Sequence, residues 1–233
     1  MIITDIRKQL VKSSDEKTKQ SGLRFFKESI KIHGVKTALV TTLSKYFYKK
    51  INTLDKNKIF ELCEELWQSG YLEETFIACN WAYNQHKNFK PEDFIIFERW
   101  VNEYISNWAS CDTFCNHTLG TFIEMYPAYV EELKKWTLSE NRWVKRASAV
   151  SFIIPARKGL FLNDIFEIAD NLLTDKDDLV QKGYGWMLKA TSQTNQNAVF
   201  DYVINNKNIM PRTALRYAIE KMPANLKAEA MKK

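Results

Sequence analysis

Apolar residues return at the three- and four-residue steps of a helix in most windows of the chain, and no stretch requires a strand. The clearest window runs from Phe94 to Ile105, where Phe94, Phe97, Val101, Tyr104 and Ile105 form one stripe that faces a core. Start signals accompany the periodicity. Pro91 opens that helix, Ser139 precedes a helix holding Arg146, and Thr174 with Asp177 resembles an acidic capping box. Gly34, Gly70 and the pair Asn205-Asn206 read as helix ends. Helices are predicted to begin near residues 2, 15, 37, 55, 72, 91, 109, 128, 140, 161, 176, 194, 211 and 224, to within about ±2–4 residues.

Composition supports this reading. Seven glycines and five prolines in 233 residues are too few for a protein of many tight turns. No Ser/Gly/Pro-rich linker interrupts the chain, so residues 1–233 are expected to form one domain. The fold class is all-α: an α-solenoid of antiparallel HEAT-like helix pairs, whose natural product is a concave surface.

The N-terminus has no apolar leader and nowhere do 18 apolar residues run together, so a cytoplasmic protein away from the membrane is expected. Cys63, Cys79, Cys111 and Cys115 form no CxxC pair and read as packed thiols. Cys111, Cys115 and His117 lack the spacing and the fourth ligand of a zinc site. No metal or cofactor is expected.

The net charge of +6 hides a pattern. Residues 1–60 carry 14 Lys+Arg against 5 Asp+Glu, residues 61–140 carry 5 against 14, and residues 141–233 carry 15 against 9. Two basic ends around an acidic middle would clamp a polyanion if the chain curves; the other reading is a solvated, lysine-rich surface.

Candidate chemistry enters through spacing. Trp108 and Asp112 lie four residues apart, and Arg146 and Trp186 follow Trp108 at gaps of 38 and 40 residues. In a stack of two-helix units of roughly 40 residues, side chains at that interval share one face. Spacing alone does not separate cleft from core. Trp67 and Phe26 lie 41 and 82 residues before Trp108 and are read as core positions of earlier repeats.

Four motifs carry a resemblance: Glu65-Leu66-Trp67 with Glu74; Trp108-x3-Asp112 with Leu119-Gly120; Asn141-Arg142-Trp143-Val144-Lys145-Arg146-Ala147; and Gln181-Lys182-Gly183-Tyr184-Gly185-Trp186-Met187-Leu188. In order and spacing the chain resembles, over nearly its whole length, the HEAT-like-repeat DNA alkylation repair glycosylases of the AlkD type. The resemblance implies that Asp112 is the catalytic carboxylate, that Trp108 and Trp186 line the cleft, and that Arg146 holds a phosphate. It implies excision of N3- or N7-alkylated purines such as 3-methyladenine and 7-methylguanine, without base flipping. Where the family carries an acidic residue after the first cleft tryptophan and an aromatic before it, this chain has Ala109 and Asn107. The element 34–40 lacks the family's proline and arginine, and Phe25 stands in place of an aromatic hydroxyl.

The expected partner is double-stranded DNA, held through its phosphates without sequence preference by a monomer located with the nucleoid. Lys145, Arg157, Lys158, Lys182, Lys189, Arg212 and Arg216, with Arg24 and Lys27 on the N-terminal side, are the candidate phosphate contacts; Lys8, Lys12 and Lys31 are further ones. No motif lysine is placed for Schiff-base chemistry, so the enzyme would be monofunctional. Two other readings stay open: a non-catalytic DNA-binding relative that recognises distorted or branched duplex, and a HEAT-type protein-interaction scaffold.

Overall fold

The predicted helix starts survive almost unchanged because most rest on a turn or a cap that the sequence spells out. Asp15, Asp55, Asn141 and Asp177 accept backbone N–H groups in the first turns of their helices. Asn141 and Asp177 take the places expected for Ser139 and Thr174. Gly70, at φ 70°, turns the chain out of one helix and into the next. Gly34 is left-handed too, at φ 90°, but lies in a connector well past the preceding helix, not at its end.

The computed structural model describes residues 1–232, which are helical throughout apart from turns and one isolated bridge between Lys31 and Tyr71. Their arrangement is consistent with an α-solenoid. The chain divides into two compact units, Met1–Phe114 and Cys115–Lys233. No helix among the described residues is long and apolar enough to cross a membrane.

The first unit comprises α1 (Ile2–Lys12), α2 (Glu16–Leu23), α3 (Thr37–Tyr48), α4 (Lys56–Gln68), α5 (Leu72–Asn84), α6 (Asp93–Glu103) and α7 (Trp108–Phe114). Helix α5 is its centre and packs against α3, α4 and α7. Helix α6 joins through large rings: Phe97 and Trp100 meet Phe60 of α4 and Phe114 of α7 edge to face, at 5.5–5.8 Å between centroids or close to it. Phe94, Phe97, Val101 and Ile105 are buried as the stripe predicts, while Tyr104 sits at its rim and donates its hydroxyl to Glu64. Trp67 is core, against Phe114 and Trp100.

The second unit holds α8 (Gly120–Met125), α9 (Val130–Trp136), α10 (Arg142–Val150), α11 (Ile153–Arg157), α12 (Leu162–Asn171), α13 (Asp178–Thr191), α14 (Gln196–Asn206), α15 (Arg212–Ala218) and α16 (Ala224–Met231). Helix α13 is its spine, between α10 and α15. Two glycines make that position possible. A Cβ on Gly185 would lie 2.8 Å from the Ala214 carbonyl oxygen and from Tyr217 Cβ, and one on Gly183 would lie 3.3 Å from Arg146 Cγ. Helices α10 and α11 form where one helix was expected: Pro155 has no N–H to give Ser151, and the chain restarts at Ile153. Gly120 fits against that same carbonyl, since its Cβ would lie 2.8 Å from Ser151 O.

Candidate active site

Asn107 caps α7, its Oδ1 accepting the Ser110 N–H at 2.9 Å, so Trp108 begins the helix and Asp112 follows one turn later on the same side. Both side chains are half-buried. Burial divides the tryptophans where spacing did not. Of seven tryptophans, Trp67, Trp81, Trp100, Trp136 and Trp143 are buried, and Trp108 and Trp186 are the two with solvent-facing surface. Beyond Phe114 the helix widens into a π-helical turn, Cys115–Leu119, an irregularity that recurs at functional sites.

Phe26 is not a core residue, contrary to its expected role. It is half-buried and stacks on Trp108, with ring centroids 5.3 Å apart and planes inclined by 19°. The pair closes one wall of a cavity of about 260 Å³, which Phe25, Val35, Lys36 and Phe76 also line. Ala109 contributes to the same lining and is itself buried. The cavity's shape depends on the connector between α2 and α3, and a buried carboxylate fixes that connector. Glu73 Oε2 accepts the His33 N–H at 2.9 Å, and Oε1 accepts those of Gly34 and Val35 at 2.8 and 3.0 Å. Glu74 stands beside it, bonded to Arg7 Nε at 3.0 Å and to the His33 ring at 3.3 Å. Burial pushes the Glu74 carboxyl up, but hydrogen bonds from His33 and Arg7 and the charge of Arg7 outweigh it and hold the group below the usual glutamate range.

Sequence reasoning missed Phe26 and Glu73 as site-builders. The signal for Glu73 was present: two adjacent carboxylates opening a helix whose other positions face a core. Glu65, Leu66 and Trp67 of the first motif serve structure, for Arg7 also donates to the Glu65 carbonyl while Leu66 and Trp67 are buried.

In the second unit Arg146 is only 5% exposed. Its guanidinium donates to the Leu179 carbonyl in the first turn of α13, over the space that Gly183 leaves open. Trp186 lies one turn further along α13, half-buried. Its neighbour Tyr184 is core: the hydroxyl donates to the Leu173 carbonyl at 3.0 Å, and burial raises its pKa. Arg142 and Lys145 pair with Asp177 and Asp175, each at 2.9 Å, so the third motif ties α10 to the start of α13.

The basic candidates divide. Lys145, Lys158, Lys182 and Lys189 hold the carboxylates of Asp175, Glu124, Asp178 and Glu220 at 2.6–3.0 Å. Arg24, Arg157, Arg212 and Arg216 are exposed and form no ion pair among the described residues; Lys27 is exposed as well. Arg212 and Arg216 stand one turn apart on α15. The four cysteines are buried thiols, and the described residues contain no group of three potential ligands for a metal ion.

The described residues thus form an all-helical protein with a half-buried tryptophan and carboxylate one turn apart on α7 and with exposed arginines. The model of the DNA alkylation repair enzyme family matches residues 6–222, and the chain belongs to that family. Among solved structures it is similar to a predicted DNA alkylation repair enzyme from Enterococcus faecalis, with a TM-score of 0.81 and 18% identity over 91% of this chain and 98% of that one. At that identity the likeness speaks for the fold. Comparison with curated proteins gives no match.

Proposed function

We propose that the protein is a monofunctional DNA glycosylase that hydrolyses the N-glycosidic bond of N3- and N7-alkylated purines in duplex DNA, 3-methyladenine and 7-methylguanine among them. The observation that carries the reading is the exposure of two indoles among seven, one of them a helical turn from a half-buried carboxylate, in a chain of the DNA alkylation repair enzyme family.

The chemistry suits so small a set of groups. Alkylation at N3 or N7 makes the purine cationic, hence a good leaving group that needs no proton from an acid. As the bond to the sugar lengthens, positive charge grows on the sugar ring. A fixed carboxylate at Asp112 stabilises that charge and orients the water that attacks it. The bond broken is C1′–N; water supplies hydroxide to C1′, its proton goes to solvent, and the base leaves neutral. Trp108 and Trp186 offer indole faces to the sugar and the cationic base. Arg146, its guanidinium buried on the Leu179 carbonyl, braces α10 against α13 in this reading. The exposed arginines Arg24, Arg157, Arg212 and Arg216 hold phosphates more readily than the lysines already bonded to carboxylates, and they read no sequence. The lesion is worked on from the backbone side, without being flipped.

The test is incubation of the protein, in excess, with a duplex holding one 7-methylguanine, followed by alkali to cleave abasic sites. Strand cleavage at the lesion is expected. An intact strand would remove the glycosylase reading and leave that of a DNA-binding relative, which a duplex-binding assay then measures.

A further inference from the structure

The cavity beside Trp108 has no part in the chemistry above, yet it is built for a flat ring. Phe25, Phe26, Phe76 and Trp108 supply its rings, and Val35 its aliphatic side. The carboxylate within reach, that of Glu73, has both oxygens engaged by three backbone N–H groups of the connector. A ligand therefore finds stacking surface and few free acceptors, which favours π-faces over any particular pattern of donors. At the mouth the surroundings change. Lys36 borders the cavity and, with Lys17 and Phe25, also borders a shallow groove over Thr18 and Ser21, where the one carboxylate, Asp15, is taken up by the Thr18 N–H and hydroxyl. A ring inside and an anion at the rim is the signature of a nucleotide, the stack holding the base and the lysines holding its phosphate.

We infer that the first unit holds one unstacked nucleobase in this cavity, without regard to its identity. The inference rests on the reading of the protein as a DNA-binding repair enzyme. Two sources share this chemistry: the base opposite the lesion, which loses its partner, and the alkylpurine released after its bond to the sugar is broken. In neither case is the lesion flipped before cleavage.

Two variants probe the cavity without touching the core. Phe25 is 72% exposed, so Phe25→Ala removes a stacking wall at no cost in packing. Thr37 lines the mouth and is exposed, so Thr37→Phe fills it. The measurement uses a duplex with 2-aminopurine opposite a tetrahydrofuran abasic analogue, a fully paired end-labelled duplex, and free 2-aminopurine. The wild-type protein should quench the unpaired 2-aminopurine on binding and prefer that duplex to the paired one. Each variant should keep its affinity for the paired duplex and lose about five-fold or more of the preference, the lower bound for losing one base–aromatic stack. Quenching of the free base that the variants abolish identifies the released purine as occupant; quenching confined to the strand-borne base identifies the opposite base. Paired-duplex binding with no quenching, or with quenching that both variants leave unchanged, overturns the cavity assignment and leaves the glycosylase reading intact. Failure to bind any duplex overturns both.

Discussion

The two units carry comparable motifs in different ways. In Met1–Phe114 the site residues sit on a short helix, α7, whose surroundings are set by buried charge: Glu73 holds three backbone N–H groups and Glu74 holds Arg7 and His33. In Cys115–Lys233 they sit on long, closely packed α13, whose position is set by missing side chains at Gly183 and Gly185. The first unit keeps a cavity and a half-buried carboxylate. The second buries Arg146 against a backbone carbonyl and pairs all four of its candidate lysines. Polar groups that orient a loop and glycines that let helices touch are two routes to a fixed side chain. The cavity beside Trp108 accompanies the first route, and we assign the reacting carboxylate to α7 of that unit.

The largest effect that would sharpen this contrast is expected at Asp112. Asp112→Asn keeps the shape and removes the charge, and excision of 7-methylguanine should fall by about 100-fold or more, the scale of losing one preorganised electrostatic group. Duplex affinity, measured by anisotropy, should stay within about two-fold, since one uncharged neighbour changes few phosphate contacts. Equal excision by the variant would move the chemistry away from α7.

Next is Gly185→Ala in the second unit. The added methyl meets a backbone oxygen and a Cβ at 2.8 Å, neither of which is the loose end of a flexible side chain. Overpacking of this kind costs roughly 1–3 kcal/mol, visible as a lowered urea midpoint. A midpoint equal to the wild type's would show that α13 and α15 separate at no cost, and the packing half of the contrast would fail.

The polar half is tested by pH. Because Glu74 is held below its ordinary pKa in the folded state, the stability it contributes is fully present above the unfolded value, about 4.3. That stability is lost as pH falls through the lower folded value. Glu74→Gln should therefore flatten the acid limb of the stability curve, and an unchanged acid limb would contradict the role of the Arg7–Glu74–His33 cluster. The smallest effect is expected at Arg216: Arg216→Gln should weaken duplex binding equally for all sequences and reduce the slope of log affinity against log salt by about one. A change confined to one sequence would point to base contact instead.

Most of the fold was legible because helices announce their ends. Starts predicted at 2, 37, 72 and 224 coincide with those of α1, α3, α5 and α16, and the rest fall close by. Two features were not legible. The break before Ile153 depends on a proline acting four residues upstream inside an otherwise helical pattern, and the π-helical turn at Cys115–Leu119 has no distinct periodicity of its own. Spacing picked out Trp108 and Trp186, both half-buried, but it also returned Trp67, which is core, and Phe26, which stacks on Trp108. Burial is set by which helices pack together, information that a repeat interval does not contain. Arg146 shows the same limit, since the carbonyl of Leu179 and the gap at Gly183 beside its guanidinium are set by helix packing.

The central claim is that one carboxylate suffices because the leaving base is already cationic. Single-turnover assays on two duplexes, one with 7-methylguanine and one with O6-methylguanine, test it directly, for the alkyl group makes the first base a cation and leaves the second neutral. Abasic sites should accumulate in the first duplex and stay at background in the second. Equal release from both, or release from the neutral base alone, would contradict the account.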